Sequence, residues 1–203
     1  MLLCDIGNTT LHFHDGTKEW RVGVEGFDPA SVTQQVHFIS VNAELETRLK
    51  GYENWVNLRA FVDMTPYYET MGIDRIAACE AVEKGVIIDA GSAVTVDVVK
   101  GGKFQGGFIY PGIAAMARCY AGISPRLEYS FNFELDLDKM PKNSQDAISY
   151  GYLRTLYGEV MRHGGPIIMT GGDAERFAPL FPSARVDREL IFTGMKKILE
   201  NRC

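Results

Sequence analysis

The stretches LLCDIGNTTLHF (residues 2–13) and VIIDAGSAVTVDVV (residues 86–99) follow one plan. Each opens with an apolar run suited to a buried strand, ends it at Asp-x-Gly, passes through small or polar residues, and resumes as a second strand of alternating character. The two DxG aspartates, Asp5 and Asp89, lie 84 positions apart in a chain of 203 residues. Each copy therefore opens roughly one half, and the repeat predicts a duplicated domain. On the repeat alone the halves are 1–84 and 85–203. No low-complexity tract or polar linker parts them, so they are expected to pack across a cleft.

Outward from these anchors, the pattern within each half is strands first and helices later. In the first half it predicts strands at 1–6, 9–14 and 20–24, a helix at 29–35, a strand at 36–41, a short helix at 43–50 and a strand at 58–62. After Asp74, the run RIAACEAVEK lacks Gly and Pro until Gly85, which predicts a helix closed by Gly85 as its C-terminal cap. The second half continues with strands at 86–89, 93–99 and 103–109, a helix from Gly112, a helix at 144–162 and a strand at 166–170. A last helix at 188–200 carries the stripe Ile191, Met195, Ile198 and Leu199. Residues 122–143 mix polar and aromatic side chains without a period and read as a loop.

Composition narrows the function. Apolar residues make up 46% and charged residues 23%, the balance of a globular protein with a sizeable core. The net charge of −5 offers no broad positive field for a nucleic acid. The cysteines Cys4, Cys79, Cys119 and Cys203 form no CxxC pair, which points to reduced thiols. Asp5 interrupts the apolar N-terminus, and no uninterrupted apolar run approaches the length of a membrane span. A cytoplasmic protein with no membrane partner is the expectation.

The DxG turns carry the chemistry. A strand that ends at an aspartate and turns through glycine exposes backbone amides to a ligand, and such a turn can hold phosphate oxygens. Hydroxyls of Thr9, Thr10, Ser92 and Thr95 add donors, whereas Asp5 and Asp89 make sense beside a cation. Two such turns imply a metal nucleotide. The chain has no GxxxxGK[ST], no GxGxxG after a strand, and no HRD and DFG pair, so the other common nucleotide signatures are excluded. His12 and His14 share a face of one strand, but no third metal ligand accompanies them. The alternating YSFNFEL at 129–135 reads as a strand edge or interface segment rather than a base-stacking surface.

DIGNT (5–9), GIDR (72–75), DAGSAVT (89–95), GGFIYPG (106–112) and TGGDA (170–174) occur in the order and spacing of the type III pantothenate kinases, which the chain resembles over nearly its whole length. The resemblance implies an α/β fold of duplicated ribonuclease H-like (actin-like ATPase) domains, with mixed sheets flanked by helices. It implies transfer of the ATP γ-phosphoryl group to pantothenate. Asp5, Gly7, Asn8 and Thr9 then form the first phosphate segment, with Mg²⁺ held through Asp5. Gly91, Ser92 and Ala93 form the second, and Asp89 binds a monovalent cation, K⁺ or NH₄⁺. Gly171 and Gly172 lie by the adenine or ribose.

Asp74 is the candidate base in this reading, because a carboxylate in the first turn of a helix is kept ionised by the helix dipole. Arg75 suits either the carboxylate or amide end of pantothenate or an acidic neighbour. Gly72, Ile73 and Gly107 complete the substrate pocket, with Tyr67 or Tyr68, and Tyr68 is taken as the substrate contact. Ser144 stands where the family has a threonine contributed by the partner subunit, which implies a homodimer. A non-catalytic, nucleotide-binding regulatory factor on the same fold is the alternative.

Overall fold

The computed structural model describes residues 1–201, so Cys203 lies outside the described residues. The strands are β1 (Leu2–Ile6), β2 (Thr10–His14), β3 (Glu19–Gly23), β4 (Val36–Ser40), β5 (Trp55–Asn57), β6 (Lys84–Ala90), β7 (Ala93–Lys100), β8 (Lys103–Pro111), β9 (Ile167–Thr170) and β10 (Arg185–Val186). The helices are α1 (Ala43–Leu49), α2 (Ile73–Glu80), α3 (Ile113–Ile123), α4 (Ser144–His163), α5 (Ala174–Phe177) and α6 (Leu190–Glu200).

The duplication is visible in the strand order. One sheet runs β3-β2-β1-β4-β5 and the other β8-β7-β6-β9-β10. In both, the strand that opens the repeat is central: β1 pairs antiparallel to β2 and parallel to β4, as β6 does to β7 and β9. A central strand is buried on both faces, which is why LLCDI and VIID read as continuous apolar runs rather than alternating ones. Both sheets are mixed and flanked by helices.

By packing, the chain forms two compact units, Met1–Val82 joined by the segment from Glu189 onward, and Glu83–Arg188. In the first unit Leu2, Cys4, Ile6, Leu11, Phe13, Val36 and Phe38 pack with Leu45 and Leu49 of α1 and with Trp55. On the other face of the sheet, Phe192 of α6 lies 4.8 and 5.0 Å from the rings of His12 and His14. In the second unit, Tyr152, Leu153, Leu156 and Val160 of α4 cover Val86, Ile88, Val94, Val96 and Met169. Asn143 caps α4 by accepting the Asp146 N–H at 2.9 Å.

Six expectations are corrected. The second half does not keep 189–201, because α6 packs against α2 in the first unit. The buried residues of α6 are Leu190, Phe192, Gly194, Met195 and Ile198, so Ile191 and Leu199 lie at the edge of the expected stripe. Residues 29–35 hold only a 3-10 turn, Pro29–Ser31, capped by Asp28 and followed by extended Val32. The strand expected at 58–62 lies at Trp55–Asn57, because the Asn57 side chain accepts the Arg59 N–H at 2.9 Å and turns the chain into a 3-10 segment.

Gly85 is no helix cap. It sits inside β6 at φ 154°, where a β-carbon would lie 2.7 Å from the Pro166 carbonyl oxygen, and α2 ends earlier, at Ala81. The 129–135 segment forms no strand. Phe131 enters the core, while the Asn132 N–H is held by Ser149 at 2.9 Å.

Gly194 sets how closely α6 approaches α2, since a β-carbon there would overlap the backbone of Ala77. Gly194→Ala is expected to destabilise the protein by about 1–3 kcal/mol through overpacking. Chemical unfolding checks this, and an unchanged midpoint would contradict the packing.

Candidate active site

The first DxG turn is built at the C-terminal end of β1. Asp5, half-buried, pairs in register with His12 of β2 and Ile39 of β4. The chain then leaves the sheet through Gly7, Asn8 and Thr9, and the Gly7 N–H donates to the Thr10 carbonyl at 2.9 Å. Asn8 and Thr9 are exposed. Sequence reasoning missed Asn42. Its Oδ1 accepts the Leu45 N–H at 2.9 Å and so caps α1, while its Nδ2 donates to the Asn8 carbonyl at 3.2 Å. An asparagine just before a helix signals the cap, but nothing local signals the tie to a turn 34 residues away.

The second turn is one residue shorter and more closely held. The Gly91 N–H donates to the Ala93 carbonyl at 2.9 Å, and Ser92 is exposed at the tip. Asp89 pairs with Thr95 of β7 and Thr170 of β9. Two other expected motifs converge here. The Gly112 N–H donates to the Ser92 carbonyl at 3.2 Å, and a β-carbon on Gly112 would overlap the Gly91 and Ser92 carbonyls. Gly171, at φ 91°, lies so near Asp89 Oδ1 and the Ala90 carbonyl that any side chain would overlap both. The Asp173 N–H donates to the Ala90 carbonyl at 2.8 Å. Glycine-rich turns 23 and 82 residues beyond Asp89 thus form its walls.

The turn before α3 is fastened from α4. Tyr152 donates its hydroxyl to the Pro111 carbonyl at 2.6 Å, and its ring stacks on Tyr110 at 5.0 Å. Gly107 lies exposed on β8 opposite Asp97, a carboxylate only 1% exposed that the sequence reading passed over. Ser144 is exposed as the first residue of α4, just after its cap.

The GIDR segment opens α2 in the first unit. Gly72 is the N-cap and contributes no side chain, so the Asp74 carboxylate turns back over the helix start, where Oδ1 accepts the Arg75 N–H at 2.8 Å. A β-carbon on Gly72 would press on that oxygen, which gives the glycine its reason. Burial pushes the Asp74 carboxyl above the ordinary aspartate range, against the pull of the Arg75 N–H and guanidinium. The helix start alone predicts the reverse direction, because it leaves out desolvation. Ile73 is buried beneath.

Arg75 is 4% exposed and donates from Nη1 to the Tyr68 hydroxyl at 2.5 Å. Tyr67 donates to Glu80 at 2.7 Å. The loop that carries both is tied down by Arg59, which donates to the Glu69 carbonyl at 3.1 Å and the Met71 carbonyl at 3.4 Å. Nothing in the sequence pattern singles out Arg59.

His12 and His14 have other partners. His12 Nε2 is 3.1 Å from Glu19, and burial lowers its pKa, while His14 Nδ1 accepts the Gly16 N–H at 3.0 Å. No group of three His, Cys, Asp or Glu side chains able to hold a metal ion occurs among the described residues. Burial, with the Asp5 charge beside it, pushes the Cys4 thiol up and keeps it neutral. No helix among the described residues is long and apolar enough to cross a membrane.

Residues 30–163 match the family model for type III pantothenate kinase. A protein of Sulfurimonas denitrificans named type III pantothenate kinase is 58% identical over 98% of both chains. A solved Campylobacter jejuni structure, provisionally described as a Baf family transcriptional activator, is 40% identical over 98% of both chains with a TM-score of 0.88. Component A of the (R)-2-hydroxyglutaryl-CoA dehydratase of Acidaminococcus fermentans covers 100% of this chain and 99% of its own at 14% identity and a TM-score of 0.50, a likeness of fold alone. That likeness agrees with duplicated ribonuclease H-like domains.

The two neighbouring glycines of the TGG turn separate crowding from mere occurrence. Gly171→Ala is expected to cost about 1–3 kcal/mol from strained backbone and overlap, whereas a β-carbon on Gly172 meets nothing within 4 Å. Thermal unfolding of Gly171→Ala and Gly172→Ala should move only the first; equal shifts would contradict the cradle.

Proposed function

The chain belongs to the type III pantothenate kinases, and on that premise we propose that it transfers the γ-phosphoryl group of ATP to the primary hydroxyl of pantothenate, giving 4'-phosphopantothenate for coenzyme A synthesis. The observation that carries the reading is Asp74, a carboxylate held at the head of α2 with its basicity raised by burial and with Arg75 and Tyr68 beside it.

In the transfer, the bond from γ-phosphorus to the bridging oxygen breaks and a bond to the pantothenate oxygen forms. Asp74 accepts the hydroxyl proton. A carboxylate whose pKa lies above the ordinary value is a stronger base. Arg75 is assigned the carboxylate or amide end of pantothenate, with Tyr68 holding the guanidinium in place. Gly72, Ile73 and Gly107 are each assigned to contacts with pantothenate.

Asn8, Thr9 and the Gly7 backbone are assigned to phosphate oxygens, as are Gly91, Ser92 and Ala93, while Gly171 and Gly172 are assigned to the nucleoside. Asp5, a hard oxygen donor on a strand end with an open turn after it, suits Mg²⁺, which supplies charge neutralisation when bound. Asp89, beside the Ala90 carbonyl and in register with the hydroxyl-bearing Thr95 and Thr170, offers oxygen donors that suit K⁺ or NH₄⁺. We assign its work to the cytoplasm.

The regulatory alternative draws support from the description given to the C. jejuni structure. A factor that only bound nucleotide would have no use for a base, and Asp74 with its bare Gly72 is built as one. A homodimer is supported by α3, which is strongly apolar in sequence yet buries only Ile113 and leaves Ile123 68% exposed. Ser144 would then reach a neighbouring subunit's pantothenate.

Asp74→Asn should lower kcat by about 10²- to 10⁴-fold with nucleotide binding unchanged. In the wild type, kcat/KM should fall as Asp74 is protonated, with an acid limb above the ordinary aspartate pKa of about 3.9. An acid limb at the ordinary value, or nearly full activity in the variant, would reject the assignment. For the dimer, sedimentation of wild type and Ile123→Asp should give a dimer and a monomer respectively, and a monomeric wild type would remove that reading.

A further inference from the structure

The first unit carries a cavity of about 770 Å³ that the transfer chemistry leaves unused. It is reached from the sheet face that holds Leu2 and Phe13, and alternate residues of a strand point to opposite faces. The Asp5 carboxylate therefore belongs to the other face, and the cavity is separate from the first phosphate turn. Its size lies within the range of about 300–1,000 Å³ usual for small-molecule sites.

The wall is aromatic. The Trp20 ring lies parallel to that of Phe13, with centroids 5.3 Å apart and an angle of 9°, and Phe27 leans on Phe13 at 6.2 Å. Helix α1 packs its leucines over β1 and β4, leaving the β3 corner to the segment around 25–34. As a result Trp20 is 40% and Val22 36% exposed, both on the outermost strand of the sheet. Apolar surface held open in a concave site is the usual mark of a ligand.

The rim supplies the sign of the charge. Among the described residues lining the cavity, those with charged side chains are Glu25 and Asp28, both acidic. Asp28 is fixed there because its Oδ1 accepts the Ala30 N–H at 3.0 Å and caps the 3-10 turn.

We propose that this cavity binds a small organic cation, with its apolar body against Trp20, Val22 and Phe27 and its ammonium or guanidinium group at Glu25 and Asp28. The two carboxylates and the electron-rich ring faces both favour a positive group. An anion with the same body meets like charge, so ATP and pantothenate are the wrong ligands for it. The proposal is independent of the kinase assignment.

The test titrates the full-length protein with 2-phenylethylammonium and, separately, with phenylacetate, a probe of similar body and opposite charge, and follows the Trp20 indole N–H by NMR. The cation should give a saturable shift with an affinity near about 1 mM, and phenylacetate should bind about tenfold more weakly or worse. Glu25→Gln with Asp28→Asn, which keeps a capping acceptor, should remove most of the preference for the cation while leaving kinase turnover unchanged. Equal binding of the two probes, no saturable shift at Trp20, or a double variant that still discriminates would overturn the proposal.

Discussion

A carboxylate set at the end of a buried strand, with glycine two residues on, is the constraint on which the rest of this molecule depends. Burying β1 and β6 on both faces fixes where each strand must stop, and the strand end fixes Asp5 and Asp89. The glycine that follows lets the chain turn at once without placing a side chain over the backbone amides. The two copies are then held differently. The first is steadied by one side chain, Asn42, and its tip is open, whereas the second is walled by Gly112 and Gly171. The first turn is therefore the freer of the two and the second the more closely shaped.

Asp74 shows a second balance. Its helix start and Arg75 both favour the charged form, yet burial outweighs them and raises the carboxyl pKa. A carboxylate proposed as a base gains from this compromise, since one fully stabilised in its charged form accepts a proton poorly. Gly72 makes the geometry possible by leaving room for the carboxylate. Arg75, itself buried, is oriented by Tyr68, and Arg59 anchors the loop that brings Tyr68 there.

The repeat and its strand order were legible because a doubly buried strand leaves a continuous apolar run and DxG marks its end. The motifs proposed for the site were legible for the same reason, as short segments in a fixed order. Contacts across long sequence distance were not. Neither Asn42's tie to Asn8 nor the crowding of Gly171 against Asp89 leaves a local trace. The return of α6 to the first unit follows from Gly194 meeting Ala77, a fit between two helices more than 100 residues apart. Residues 29–35 and 58–62 misled because Asp28 and Asn57 bond to the backbone just ahead of them and impose 3-10 turns. The Asp74 shift was missed because position on a helix is visible in a sequence and desolvation is not.

The most direct check on the whole account is a ³¹P NMR time course of the wild-type protein with ATP, Mg²⁺, K⁺ and pantothenate. The account predicts that the γ-phosphate resonance decays as a phosphomonoester resonance on pantothenate grows in equal amount. Unchanged ATP, or release of inorganic phosphate with pantothenate left unmodified, would contradict it.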